Sequence, residues 1–384
     1  MCFYIFISSG NLSRIHTHIM PLALVVRGLK KLVLEELPLP LCGLKDLLIK
    51  VTHVAQNPTD WKSIYFGAAK PGSIVGCDFA GEVVEVGKEA IGNYRIGERV
   101  AGCVPGGVPA ELGLRGAYSE YVVQEASLVF RYPTRISPDQ AATIPLATIT
   151  AALGLFHEMN LPLPSSASSP RPSSKTPVLI WSGSTSVGQY AIQLAKVAGC
   201  FVITTASPVR HNYLKGLGAD VCLDYKDSNA VSQIKELANN ELAYAIDCIS
   251  EKETIKQVCA TLTGKNPQVV TILPRISNEI PSYIKEHSVL MYTIFGHEIH
   301  AFRKVYEARP EDKRFAENFY KLLSDYLLPN GLLIPNRVTK IPGGLNGVEQ
   351  GFKRMMDNKV AGEKFVYSLA ETTKPLEGKI NSNL

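Results

Sequence analysis

Two rhythms of apolar residues divide the chain. From Ala23 to about residue 133 they come in short Val- and Ile-rich runs: ALVVRG, DLLIKVTHVAQ, GSIVGCDFAGEVVEVG, ERVAGCV and AYSEYVVQ. Glycine and proline punctuate these runs, which predicts a β-rich domain. From Pro138 the pattern turns helical, in SPDQAATIPLATITAALGLF. Beyond residue 177 strand-like and helix-like runs alternate. VLIW (178–181) reads as a buried strand. Val187, Tyr190, Ala191, Leu194, Ala195 and Ala198 then recur on one helical face. FVITTA, VCLDY, AYAIDCI and QVVTILP read as further strands, with PVRHNYLKGLG, AVSQIKELAN and ETIKQVCATLT as the helices between them. That alternation predicts an α/β domain with a doubly wound parallel sheet. Phe315, Phe319, Leu322, Leu323, Tyr326 and Leu327 mark one more amphipathic helix, and the chain frays after Val366.

Two segments stand outside both rhythms. Residues 162–177, PLPSSASSPRPSSKTP, are almost wholly Ser, Pro, Ala and basic, and read as a surface loop lengthened by insertion. Residues 1–19 hold a short apolar run with no preceding Lys or Arg and no clear small-residue cleavage site. They read as a disordered extension rather than a secretory signal, with the first domain starting near Met20-Pro21.

The length of 384 residues accommodates two domains of roughly 100–200 residues each. A net charge of +5 over that length is mild, and no Lys/Arg block tracks a nucleic-acid backbone. No apolar stretch approaches the ~18 residues of a membrane span. No nucleic-acid or membrane partner is therefore expected. The eight cysteines form no C-x-x-C pair and mostly sit in apolar strands. This predicts a reduced, cytoplasmic protein whose thiols pack as small hydrophobes.

The candidate chemistry begins at SGSTSVG, residues 182–188, between the strand at 178–181 and the helix QYAIQLAKVAG. In a doubly wound sheet the first strand feeds a glycine turn, and the following helix aims its unpaired N–H groups and dipole at an anion. Gly183 and Gly188 allow close approach, and Ser182, Ser184, Thr185 and Ser186 add hydroxyl donors. The turn departs from G-x-G-x-x-G, so its strand–turn–helix setting carries the reading. A site for NAD places an acid roughly 20 residues on, at the ribose 2′-OH. Residues 203–212, ITTASPVRHN, hold none. Ser207 and Arg210 suit a 2′-phosphate instead, which predicts NADPH.

NPTDWK (57–62), GCDFAGEVVEVG (76–87), GAYSEYVV (116–123), SGSTSVGQYAIQLAK, LGADVCLDY (217–225), AIDCIS and VAGEKFVY (360–367) together resemble the medium-chain dehydrogenase/reductases. The resemblance implies a GroES-like β-rich catalytic domain over residues 20–140 and a Rossmann domain over 141–304. Residues 305–370 would return to the catalytic domain, and 371–384 would form a tail. Zinc alcohol dehydrogenases of that superfamily carry a Cys before Thr-Asp or Ser-Asp, and a Gly-His-Glu. Here Asn57-Pro58 and Gly76-Cys77-Asp78 stand there, and four closely spaced cysteines are missing. Cys77 or Cys103 alone does not make a tetrahedral site. The H-x-x-H of His297 and His300 is read as solvated or packed, so no metal is expected.

Without a Lewis acid to hold an alkoxide, reduction of a polarised C=C is the expected chemistry. Within the zinc-independent branch the chain looks most like the fungal trans-acting enoyl reductases, which serve polyketide synthases, often fused to a peptide synthetase. The resemblance implies NADPH contacts at Thr59, Asp60, Trp61 and Lys62 beside the nicotinamide, and at Ser184, Thr185, Ser186 and Val187 for the pyrophosphate. Ser207, Pro208, Val209, Arg210 and Tyr225 would hold the adenosine end. Ile272 and Leu273 would close over the nicotinamide, with Val360 and Ala361 completing the pocket. Thr148, Ile149, Thr150, Ala151, Ala152, Leu153, Gly154 and Leu155, with Gly296, His297, Glu298, Ile299 and His300, would face the acyl substrate. Lys62 is the catalytic candidate, as a cation at the thioester carbonyl; the other reading makes it a cofactor contact alone. Related fatty-acid enoyl reductases place a Tyr where Ala68 stands, leaving the proton to another donor or to water. The partner would be a polyketide synthase presenting a carrier-bound chain, and a monomer is expected in preference to a dimer. The rival readings are a stand-alone NADPH quinone or enone oxidoreductase, and a catalytically silent NADPH-binding sensor.

Overall fold

The computed structural model describes residues 20–107, 116–164, 175–273, 279–301, 304–360 and 362–374. The expected N-terminal extension, most of the Pro/Ser-rich loop, Ala361 and the last ten residues lie outside the described residues.

The Val- and Ile-rich runs become antiparallel strands. β1 (Leu22–Gly28) and β2 (Lys31–Glu36) form a hairpin. β3 (Asp46–Ala55) leads into the short helix α1 (Pro58–Tyr65). β4 (Asp78–Val86), β5 (Arg99–Cys103), β6 (Tyr121–Glu125) and β7 (Val129–Arg131) complete the N-terminal half of a seven-stranded sheet. Leu47, Ile49, Phe79, Val83 and Val100 are fully buried in the core on one face of this sheet.

Helix α2 (Pro145–Ala152) widens into a π-helical turn, Leu153–Glu158, and leads to the second layer. There β8 (Pro177–Trp181), α3 (Ser186–Val197), β9 (Phe201–Thr205), α4 (His211–Gly216), β10 (Val221–Leu223), α5 (Ala230–Leu237), β11 (Tyr244–Asp247), α6 (Lys252–Thr261), β12 (Gln268–Thr271) and β13 (Lys285–Ser288) alternate. All six strands are parallel, in the order β10-β9-β8-β11-β12-β13. Helices cover both faces, so Leu179, Ile180, Val202, Ile203, Ala245, Ile246, Val269 and Val270 are all inside. The order reverses between β8 and β11, the switch point where such sheets open a crevice at their carboxyl ends.

After the β14 (Ile299–Ala301) and β15 (Lys304–Tyr306) hairpin, α7 (Pro310–Leu322) packs its apolar stripe inward. The chain then returns to the first sheet. β16 (Arg337–Lys340) precedes α8 (Val348–Met356), and β17 (Glu363–Ser368) pairs antiparallel with β3, Val366 opposite Ala55. Among the described residues no helix is long and apolar enough to cross a membrane.

Candidate active site

The turn after β8 is built by hydrogen bonds of its own. Ser182 takes a left-handed φ of 63°. Gly183 N–H donates to Thr205 O at 2.9 Å. A Cβ on Gly183 would collide with Thr204 Oγ1, and one on Gly188 would come within 2.6 Å of Ser182 O. Thr185 is the N-cap of α3: its Oγ1 accepts from Gly188 N–H at 3.0 Å and donates to Ser182 O at 3.0 Å. Ser186 Oγ donates to buried Asn336 at 2.5 Å. The hydroxyls of Thr185 and Ser186 thus donate to acceptors within the protein. What remains for an anion is the set of first-turn amides, including those of Ser186 and Val187, which have no partner within the helix.

Three further pieces converge on the turn. Ser207 precedes the short turn Pro208–Arg210 at the end of β9, and Tyr225 follows β10. Val209 and Tyr225 are exposed, Val209 by 83%. The C-terminal return comes alongside: a Cβ on Gly362 would lie 3.5 Å from Ser184 O and 3.7 Å from the Arg210 guanidinium. Gln189, buried on α3, ties this together. Its Nε2 donates to Ser184 O at 3.0 Å and Gly362 O at 2.9 Å. Its Oε1 accepts from Tyr213 and Asn336, both at 2.9 Å. Arg210 therefore stands over an amide-rich turn whose first helical turn carries no acid. That donor set and the two sterically enforced glycines fit the pyrophosphate of a dinucleotide.

The opposite wall is α1. Its buried polar groups are held from afar. Asp78 accepts from Asn57 Nδ2 at 3.0 Å, from Leu146 N–H at 2.8 Å and from Lys364 Nζ at 2.6 Å. Asp78 and Lys364 are both buried, and their pair joins β4, the N-terminus of α1, the start of α2 and β17. Tyr367 donates to Gln56. Asp60, 1% exposed, accepts from Asn57 N–H at 2.7 Å and Tyr118 OH at 2.9 Å. Burial raises its carboxyl to about 7, against the lowering effect of those two donors and with Asp78 adding to the rise. Asp60 thus closes the helix start through Oδ2, while its buried Oδ1 has no partner among the described residues.

Lys62, three residues after Thr59 on α1, is partly buried, 5.8 Å above the Trp61 ring. Burial pushes its ammonium below the ordinary lysine range, while the Glu251 carboxylate on the facing domain opposes that shift. Besides Asp60 Oδ1, three buried polar atoms on α1, α2 and β12 have no partner among the described residues: Trp61 Nε1, Thr148 Oγ1 and Thr271 Oγ1. Ile272, next to Thr271, donates its N–H to Ser250 Oγ at 2.8 Å. Ile272 and Leu273 are partly buried at the carboxyl end of β12, and Val360 is partly buried against the first domain's core. Orphaned donors of this kind fit a site completed by a ligand.

The expected acyl-facing segments are placed differently. Ile149, Ala151, Ala152, Leu153 and Leu155 are inside the core. Gly154 faces Val270 and Ile246, and Thr150 Oγ1 donates back to Leu146 O at 2.8 Å. They have no surface to offer a substrate, because this nearly all-apolar helix fills the space between sheet and α3. Thr148, with its orphaned hydroxyl, is the exception. In the second segment His297, Glu298 and His300 are exposed, with Glu298 accepting from His300 at 2.7 Å, while Ile299 is buried. Gly296 lies beside Lys313 of α7. Tyr292, just upstream, is the residue that reaches α1.

Sequence reasoning missed Gln189, Asn336, Lys364 and Tyr292. Only Lys364 carried a signal, as a lysine within the strand-like KFVY. Among the described residues the one His/Cys/Asp/Glu trio with metal-ligand spacing is His157, Glu158 and Asp312. Arg309 Nη2 already lies 2.9 Å from Glu158 and 3.1 Å from Asp312, supplying the cation. Cys77 is instead 3.6 Å from Tyr292 OH.

Residues 43–134 match the alcohol dehydrogenase GroES-like domain, and residues 186–304 match the zinc-binding dehydrogenase family. A zinc-type alcohol dehydrogenase-like protein of Schizosaccharomyces pombe is 35% identical over 87% of this chain and 95% of its own length. The trans-enoyl reductase ACTTS2 of Alternaria alternata is 33% identical over 90% of this chain and 98% of its own. Among solved structures, the CurK enoyl reductase superposes with a TM-score of 0.69 over 91% of this chain and 99% of that one, at 20% identity, a likeness of fold. A GroES-like domain joined to a Rossmann domain, with relatives this similar over nearly their full length, means that the chain belongs to the medium-chain dehydrogenase/reductase superfamily of oxidoreductases, whose fold implies a nicotinamide cofactor.

Proposed function

We propose that the protein is a trans-acting enoyl reductase that uses NADPH, without zinc, to reduce the C=C of an α,β-unsaturated thioester carried by a polyketide synthase. The observation that carries this reading is the pairing of two walls. Arg210 and the acid-free turn at 182–188 suit a phosphorylated dinucleotide. Lys62 lies on α1 of the other domain, where the Glu251 carboxylate of the α/β domain favours its charged form. Bound there, reduced nicotinamide supplies a hydride to the β-carbon. Lys62 Nζ donates to the thioester oxygen and stabilises the charge that develops on it, in a cleft whose surroundings are mostly apolar. Relatives named trans-enoyl reductases support the same reading, as does the placement of Cys77 on Tyr292 rather than in a ligand cluster.

The test compares two substrates with NADPH: an enoyl thioester on a pantetheine arm or carrier domain, and a small diffusible quinone. Rapid oxidation of NADPH by the thioester, with saturated thioester as product, is expected. Robust turnover of the quinone with an inert thioester would instead identify a stand-alone quinone reductase. NADPH binding without oxidation by either would identify a silent binder.

A further inference from the structure

Reduction of an enoyl thioester needs a proton at the α-carbon, and Ala68 offers none. The structure brings a tyrosine to α1 from elsewhere. Tyr292 lies in the 3-10 turn Met291–Phe295 after β13, is 3% exposed, and sends its hydroxyl across the domain junction. Its oxygen is 2.8 Å from Thr59 Oγ1 and 3.6 Å from Cys77 Sγ. Thr59 is partly exposed. The hydroxyl pair therefore runs from the interior to a partly exposed position on α1. Thr59 and Lys62 are three apart on α1 and share a face.

We propose, on the strength of the enoyl-reductase reading, that Thr59 Oγ1 delivers the proton to the α-carbon and that Tyr292 replaces it. Hydride addition at the β-carbon leaves the C=C electron pair in an enolate. The new α-carbon–hydrogen bond forms as the Thr59 O–H bond breaks, and Oγ1 takes the phenolic proton of Tyr292. The resulting phenolate is solvated by the Cys77 thiol, which burial keeps protonated, until water entering on product release returns the proton. Burial holds the Tyr292 phenol well above its ordinary range. A thioester α-carbon is a far weaker acid still, so such a phenol remains competent as a donor. A hydroxyl without a proton behind it would stop after one transfer; Tyr292 removes that limit. In this scheme Thr59 is the catalytic residue and Tyr292 positions and reloads it.

Reduction of 2-methylbut-2-enoyl pantetheine by NADPH reads the geometry directly, because protonation creates the α-stereocentre. The wild-type protein is expected to give a single 2-methylbutyryl enantiomer. Thr59→Val and Tyr292→Phe are expected to fall about a hundredfold in kcat and to release both enantiomers, as water protonates either face. Thr59→Ser is expected to restore rate and configuration. Unchanged far-ultraviolet circular dichroism in all three variants shows that the fold persists, and unchanged quenching of NADPH fluorescence in Tyr292→Phe shows that the cofactor site does. A single enantiomer at undiminished rate from Thr59→Val and Tyr292→Phe overturns the proposal. A loss confined to Thr59→Val removes Tyr292 from it. Failure of the wild-type protein to reduce any enoyl thioester is a separate result, which removes the function reading itself.

Discussion

On the α/β wall, Ser182, Thr185 and Gly188 are tied to one another within one seven-residue turn, and Gly183 is hydrogen-bonded to Thr205 of the adjacent β9. On the α1 wall, Asn57 is set by Asp78, and Asp78 by Lys364, a residue 286 positions away. The first wall uses backbone amides, glycines and a helix end, uncharged groups that cost little to bury where the turn and the adjacent β9 satisfy them. The second uses two buried charges and a buried carboxyl, each expensive alone and tolerable only while its partner is present. The first wall is therefore expected to degrade step by step under substitution, and the second to fail as a unit.

The largest test of that contrast is Lys364→Met. It leaves Asp78 buried with its Asn57 and Leu146 donors but no cation. A loss of about 3–5 kcal/mol in urea unfolding is expected. Adding Asp78→Asn to Lys364→Met is expected to recover much of it, because the uncompensated charge is gone. Equal losses in the single and double variants would show that packing, not charge, holds this wall.

Next comes pH. The folded protein keeps a proton on Asp60 up to about 7, whereas an ordinary aspartate releases it near 3.8. Between those values the folded state binds one more proton than the unfolded state, so stability falls as pH rises through that window and levels off above it. The groups facing Asp60 are Tyr118, Asp78 and Cys77. The fall is expected to total about 2–4 kcal/mol. In Asp60→Asn this contribution is absent, so the difference between wild type and variant measured across pH 4–8 reports it directly. A pH-independent difference would show that Asp60 is ionised throughout.

On the local wall the effects are smaller. Gly183→Ala drives a methyl onto Thr204 Oγ1, itself donating to Ile180 O at 2.7 Å. A cost of about 1–3 kcal/mol in stability is expected, with weaker binding of both NADPH and NADH. Arg210→Ala is expected to weaken NADPH about tenfold, with NADH affinity unchanged, as read by fluorescence titration at low and high salt. Equal weakening of both cofactors would remove Arg210 from the 2′-phosphate.

How much was legible follows the same division. The alternation beyond residue 177 foretold the parallel sheet, because each strand and helix there buries its own local pattern. The turn at 182–188 could be read for the same reason: its glycines, N-cap and helix lie within one short segment. The partners of the Thr185 and Ser186 hydroxyls were not legible, since a hydroxyl's partner can lie 150 positions away, as Asn336 does for Ser186. The segment from Ile149 to Leu155 was misplaced because an apolar helix carries no mark that separates a core face from a cleft face.

The sequence was sufficient for the layer order, the glycine turn after β8 and the absence of an acid after β9, because periodicity, glycine geometry and helix ends act over a few residues. It did not reveal that Lys364 would neutralise Asp78, that Asp60 would be shut inside, or that Tyr292 would reach Thr59. Those facts depend on β17 returning to β3 and on the two domains meeting at α1. Buried charges and hydroxyls take their meaning from whatever neighbour the fold supplies, and no local pattern names that neighbour in advance.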